Sequence, residues 1–146
     1  MLNLKESLKC SAVFGSIGEK DLDEIVPFFE ARHLTPGEML MTLGSPAKYF
    51  YLLGEGSLLL STKEGKALIL SSPGDFVAMD MVSEQGLYTG SLTALEDGVA
   101  FVISRDDFSQ WIRKKDDLAT GILDAWTLFL GRVAPFVEHK GALEHL

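Results

Sequence analysis

Apolar residues at Leu22, Ile25, Val26 and Phe29 fall at the i, i+3, i+4, i+7 spacing that lines one face of a helix. The spacing predicts a helix over 19–26, ended by Pro27. The four residues Thr35-Pro36-Gly37-Glu38 then predict a type II turn, in which proline presets one φ angle and glycine accepts a positive one. Beyond that turn the period changes. Short apolar runs at 39–42, 49–53, 57–62 and 67–70 alternate with Gly44-Ser45-Pro46, Gly54-Glu55-Gly56, Lys63-Glu64-Gly65 and Ser72-Pro73-Gly74-Asp75. Two further runs, 90–95 and 99–103, are joined by Glu96-Asp97-Gly98. Strands this short and this regularly punctuated predict a sandwich or barrel.

Helical signals return at Ser104, where a capping box with Asp107 predicts a helix whose apolar face holds Phe108, Trp111 and Ile112. Asp116-Asp117 starts a longer helix that runs to about Ala134 and stops at Pro135. On this last helix Leu118, Ile122, Ala125 and Phe129 form one stripe, and Leu123, Trp126, Leu130 and Val133 a second beside it. At about 100° per residue the two stripes span roughly 180°, whereas packing on one barrel needs about 100°. The excess predicts a homodimer seam centred near Trp126; deeper burial within one subunit is the alternative.

The chain has 146 residues, 47% hydrophobic and 23% charged, which suits one folded domain with its own core. Its formal net charge of -8 repels nucleic acid backbones, and Arg113-Lys114-Lys115 reads as a helix-end cluster that complements the dipole. Cys10 is the only cysteine, which excludes an intrachain disulfide and a thiolate zinc site and suits a reducing cytoplasm. Neither a signal peptide nor an apolar run long enough to span a membrane is present in the sequence, so neither secretion nor a membrane partner is expected.

Five segments stand in a shared order: Thr35-Pro36-Gly37-Glu38; Tyr51-Leu52-Leu53-Gly54-Glu55-Gly56-Ser57; Ser72-Pro73-Gly74-Asp75-Phe76; Ala94-Leu95-Glu96-Asp97; and Ile103-Ser104-Arg105-Asp106-Asp107-Phe108. With a helical lead before them and apolar helices after, they resemble the cyclic-nucleotide-binding domains of the CRP/FNR superfamily over about residues 14–133. The resemblance implies a mainly β fold with flanking helices, a double-stranded β-helix or jelly roll. The expected organisation is a single domain: a helical lead at 1–34, a β-roll at 35–104, helices at 105–134 and a tail at 135–146. By analogy with the family, a hinge is expected between Phe108 and Leu118.

In that family the stretch after Pro-Gly-Asp-Phe is a phosphate-binding cassette. A Gly-Glu-(Leu/Ile)-Ala segment supplies a glutamate to the ribose, and an Arg-(Ser/Thr)-Ala segment supplies an arginine to the cyclic phosphate. Here Val77, Ala78, Met79 and Asp80 occupy the first segment, so Ala78 replaces the glutamate and Asp80 stands where a small residue is expected. Tyr88, Thr89 and Gly90 occupy the second; Tyr88 replaces the arginine and only Thr89 fits. Residues 67–104 contain no lysine, arginine or histidine, while Asp75, Asp80, Glu84, Glu96 and Asp97 are all acidic. Binding of cyclic AMP in the usual manner is therefore not expected. Backbone amides near Met79 could still attract an anion, with Asp80 opposing them. A cation brought from Lys63, Lys66 or Arg105, or the Tyr88 hydroxyl, would allow a noncanonical cyclic nucleotide; an uncharged or cationic ligand would use Tyr88 or Phe76 as a wall and Asp80 as a polar contact. The plain alternative makes these aromatics ordinary core.

Other chemistries lack their residues. A cupin-like metal enzyme would need a His-x-His strand pair, but the histidines are His33, placed before the barrel strands, and His139 and His145 in the tail. Cys10 has no histidine near it in sequence, and no Gly-x-Ser-x-Gly elbow occurs. The acidic clusters Asp21-Asp23-Glu24, Asp106-Asp107 and Asp116-Asp117 sit at predicted helix starts, where they serve the dipole. The dozen residues after Ala134 are too few for a helix-turn-helix, so direct DNA binding is not expected of this chain. The sequence thus predicts a stand-alone, non-enzymatic regulatory or sensor module without cofactor or metal, responding to a small ligand or to a protein partner. It also predicts a dimer through 118–133. Sedimentation at micromolar concentration should show that dimer, and a monomer would remove the seam.

Overall fold

The computed structural model describes residues 3–11, 14–15, 17–77 and 81–113. Its strands are cut from the chain by the turns the sequence marks. Glu38 N–H donates to Thr35 O at 3.0 Å and Gly37 takes φ 86°, as the third position of a type II turn requires. Glu38 also holds this corner with its side chain: one carboxylate oxygen accepts from Thr35 N–H at 3.2 Å and the other pairs with Arg32. The Arg32 hydrogen bond holds the Glu38 carboxyl below the usual carboxylate range, against a smaller opposing effect of burial.

Among the described residues eight strands result: β1 (Glu30–Leu34), β2 (Met39–Met41), β3 (Tyr49–Glu55), β4 (Leu58–Thr62), β5 (Ala67–Leu70), β6 (Phe76–Val77), β7 (Gly90–Ala94) and β8 (Gly98–Ser104). They form two four-stranded antiparallel sheets, ordered β1-β8-β3-β6 and β2-β7-β4-β5. This is the mainly β, jelly-roll-like architecture expected from the sequence. In β7 the side chains alternate, with Leu92 and Ala94 buried and Ser91 and Thr93 half-buried, so one face meets the core. By contrast, Phe50 to Gly54 of β3 are all buried, because its sheet has the second sheet on one side and helices on the other.

The helices are α1 (Leu4–Cys10), α2 (Glu19–Ile25), which continues as a 3-10 turn at Val26–Phe28 around Pro27, and α3 (Arg105–Arg113). Asn3 caps α1 by accepting Glu6 N–H at 2.8 Å. Lys5 ties α1 to α2 through Glu19 at 2.9 Å and Asp23 at 2.8 Å. Ser104 Oγ accepts Asp107 N–H at 3.0 Å and so caps α3 as predicted. Aromatic rings join these helices to the first sheet. Phe14 meets Phe76 edge-on at 4.9 Å, Phe108 lies 5.6 Å from both Phe50 and Phe76, and Trp111 lies 6.1 Å from Phe108. Such ring pairs contribute about 0.5–1.5 kcal/mol each beyond their burial.

Two expectations need correction. The segment assigned to a helical lead ends in strand β1, which pairs with β8 from Glu30↔Val102 to Leu34↔Gly98. Its first four residues are exposed and polar or small, so no apolar alternation announces it. His33 consequently stands within the barrel on β1, near Asp97 at 3.7 Å, and not before the strands. Phe76 and Val77, read as the end of a turn and the start of a cassette, form β6 beside Tyr51 and Leu52. The predicted dimer helix, with Leu118, Ile122, Leu123, Trp126, Phe129, Leu130 and Val133, lies outside the described residues.

The turn before β6 is where the helical lead meets the barrel. Gly74 has φ 93°, donates its N–H to Leu53 O at 2.7 Å, and would bring a Cβ within 2.7 Å of the Ser11 backbone and of Ser7 O. Gly74→Ala therefore combines left-handed strain with a backbone clash, and should destabilise the fold by about 2–4 kcal/mol in urea unfolding. A change below about 0.5 kcal/mol would mean that α1 does not pack on this turn.

Candidate functional site

Strand β6 ends at Val77, which is 4% exposed and pairs with Tyr51, so this first cassette position is a sheet residue facing the core. Ala78, Met79 and Asp80 lie outside the described residues. The chain is described again from Met81, in an irregular hairpin. Ser83 N–H donates to Leu87 O at 2.8 Å, Gly86 N–H to Ser83 O at 2.9 Å, and Thr89 N–H to Met81 O at 3.0 Å. A second seam joins the hairpin to the loop between β2 and β3. Gly44 N–H donates to Tyr88 O and Tyr88 N–H to Ser45 O, both at 2.9 Å, and Ala47 N–H donates to Gly86 O at 2.8 Å.

Tyr88, which the sequence sets opposite the family's arginine, closes this seam with its side chain. It is 5% exposed, and its hydroxyl donates to Tyr49 O at 2.7 Å while accepting Tyr49 N–H at 3.1 Å. A phenol has one proton to give, and here a backbone carbonyl takes it. Burial pushes the Tyr88 hydroxyl pKa up, partly offset by these backbone contacts. The neighbouring Tyr51 is likewise buried, donates to Leu40 O at 2.9 Å, and is pushed up to about 12 chiefly by burial.

Thr89 is half-buried, and Gly90 starts β7 where a Cβ would lie 2.4 Å from Ser61 O and 2.5 Å from Met81 Cε. Backbone therefore packs on backbone at this end of the hairpin. Phe76 is 2% exposed and belongs to the aromatic cluster, so it is core. Of the three cations considered as substitutes, Lys63 and Lys66 sit in the exposed turn between β4 and β5. Arg105 reaches the hairpin: its Nη1 lies 3.0 Å from where a Cβ on Gly86 would be, an approach allowed because that residue has no side chain. Beside it an open cleft of about 320 Å³ is lined by Ala47, Lys48, Tyr49, Ser104, Arg105 and Asp106. Among the described residues no three metal-ligating side chains cluster, and no helix is long and apolar enough to cross a membrane.

The sequence profile of the cyclic nucleotide-binding domain matches residues 31–115, more than half of the chain. The chain belongs to the cyclic nucleotide-binding domain family. Uncharacterized NTE family proteins of Mycobacterium tuberculosis and Mycobacterium bovis are 22% identical to it over 131 residues; the match covers 90% of this chain and 22% of theirs. The chain thus spans about a fifth of the length of those relatives. The crystal structure of the sensor domain of the transcriptional regulator DNR from Pseudomonas aeruginosa superimposes with a TM-score of 0.70 at 20% identity, covering 86% of this chain and 92% of that one. The N-terminal domain of a Streptomyces coelicolor transcriptional regulator gives 0.64 at 21%, covering 86% and 91%. Thermus thermophilus catabolite activator protein gives 0.63 at 21%, covering 84% and 57%. These likenesses are of fold.

Within this cyclic nucleotide-binding domain, Val77 pairs with Tyr51 on β3, Gly90 starts β7 beside Met81, and the Tyr88 side chain becomes a contact to the Tyr49 backbone. Sequence reasoning missed Tyr49, which is 39 positions away from Tyr88. No short-range signal joins the two. The buried phenols yield a pH prediction. Both have folded pKa values above the ordinary value of about 10, so the stability that they contribute is full below that pH and is lost as pH rises through the folded values. The urea midpoint should fall as pH rises from about 9 to about 11.5, and Tyr51→Phe or Tyr88→Phe should make the fall shallower. Parallel profiles for wild type and both variants would contradict this.

Proposed function

We propose that this domain is a sensor module that does not hold cyclic AMP or cyclic GMP in the family's usual way. The observation that carries the reading is Tyr88: it occupies the arginine's position, is buried, and spends its hydroxyl on the Tyr49 backbone. Losing the arginine forfeits a charge-assisted pair of about 1.5–3 kcal/mol, or roughly tenfold to a hundredfold in affinity. The absence of any basic residue in 67–104 and the replacement of the ribose glutamate by Ala78 act in the same direction. On this reading the chain is a non-enzymatic regulatory unit that does not itself read DNA and works in a reducing compartment such as the cytoplasm. It pairs through 118–133 and answers to another small ligand or to a protein partner.

A second reading is favoured by one observation, the Arg105 guanidinium over Gly86. In that reading Arg105 supplies the missing cation and a cyclic nucleotide binds noncanonically. Calorimetric titration with cyclic AMP and cyclic GMP to about millimolar separates the two. The first predicts no heat from the wild type. Micromolar binding would overturn it, and its loss in Arg105→Gln would establish the second. Alongside, the double variant Ala78→Glu, Tyr88→Arg, checked for folding by melting, should gain binding if these two side chains are what the cassette lacks.

A further inference from the structure

Strand β3 runs from Tyr49 to Glu55, but β6 pairs with it only at Tyr51 and Leu52. At Tyr49 no strand among the described residues pairs with this edge of β3, and a backbone N–H and C=O need partners. The Tyr88 hydroxyl supplies both, donating at 2.7 Å and accepting at 3.1 Å. A phenol is suited to this place because one oxygen both gives and receives a hydrogen bond, as a neighbouring strand residue would with two groups.

The same point on β3 borders the start of α3. Tyr49 pairs with Ser104 on its other edge, and Lys48 O accepts Arg105 N–H at 2.8 Å. The main chain of Tyr88 is meanwhile stitched to Gly44 and Ser45. One side chain thus joins the 81–90 hairpin to the first residue of β3, which itself adjoins the β8–α3 junction through Ser104 and Lys48. We infer that Tyr88 is a clasp built into the chain, which holds the hairpin closed on β3 without a ligand, and whose release frees the hairpin and the start of α3 together.

If the hairpin lifted while β3 and α3 stayed in place, Tyr49 would be left with two unmet backbone groups at a half-covered edge, which opposes partial opening. The opening unit therefore includes Tyr88, Tyr49 and the first turn of α3. The cleft lined by Lys48, Tyr49, Ser104, Arg105 and Asp106 lies at this junction, so release of the clasp reshapes a surface-open feature. The clasp belongs to the ligand-free protein and stands apart from the nucleotide question, which calorimetry decides.

Native-state hydrogen exchange on the full chain tests it. In the wild type, the amides of Gly44, Ala47, Tyr49, Tyr88 and Arg105 should open as one unit with a common urea dependence. Tyr88→Phe should speed exchange of that set at least about tenfold while leaving β4 and β5 within about twofold, and Tyr51→Phe, which removes a different buried phenol, should not single the set out. Separate opening of Tyr49 and Tyr88 in the wild type would overturn the clasp. So would an equal acceleration of all slow amides in Tyr88→Phe, or none in the hairpin. The wild-type measurement stands even if Tyr88→Phe does not fold.

Discussion

A strand that outruns its neighbour leaves backbone donors and acceptors along its edge, and water or protein must satisfy them. Among the described residues strand β3 is in this position, because β6 pairs with it only at Leu52 and Tyr51. Much of the site follows from how the deficit is met. The loop after β2 is bonded to the hairpin from Leu43 to Ala47, and the phenol of Tyr88 takes over at Tyr49. An arginine at position 88 has donors but no acceptor, so it could satisfy the carbonyl of Tyr49 but not its N–H. On the proposed alignment, tyrosine in place of arginine would remove a phosphate ligand and supply a two-way hydrogen-bonding group in one step.

Around this edge, packing joins the remaining parts. Phe76 on β6 touches Phe14 of the lead, Phe50 of β3 and Phe108 of α3, so the strand that leads into the cassette is wedged among rings from three other segments. The Gly74 turn just before it is closed over by the end of α1. Movement in the 72–77 segment cannot be independent of the helices, since close-packed rings and backbone contacts at van der Waals distance leave no slack. The cassette end of the barrel and the helical layer form one packed assembly in the described residues.

Most strands were legible because glycine-bearing turns mark their ends and because β4, β5, β7 and β8 carry apolar runs. Strand β1 was not, since Glu30, Ala31, Arg32 and His33 are exposed and its place is dictated by pairing to β8, a contact nearly seventy positions away in sequence. Strand β6 was hidden inside a motif that reads as a turn. For the site, the sequence supplied the proposed departures from the family pattern at Ala78 and Tyr88 and the absence of basic residues over 67–104. What Tyr88 does instead was invisible, because the groups it serves are main-chain atoms of Tyr49 and any residue could have provided them. The approach of Arg105 to Gly86 is similar: a side chain meets an absence of one. Only the fold brings these pairs together.

The central claim is that a tyrosine phenol occupies the arginine's role as a structural contact, leaving no phosphate site at the hairpin. A crystal structure of the protein grown with millimolar cyclic AMP tests this most directly. The account predicts the Tyr88 hydroxyl within hydrogen-bonding distance of both Tyr49 N and Tyr49 O, and no nucleotide phosphate against residues 81–90. A phosphate bound there, with Tyr88 swung away from Tyr49, would contradict it.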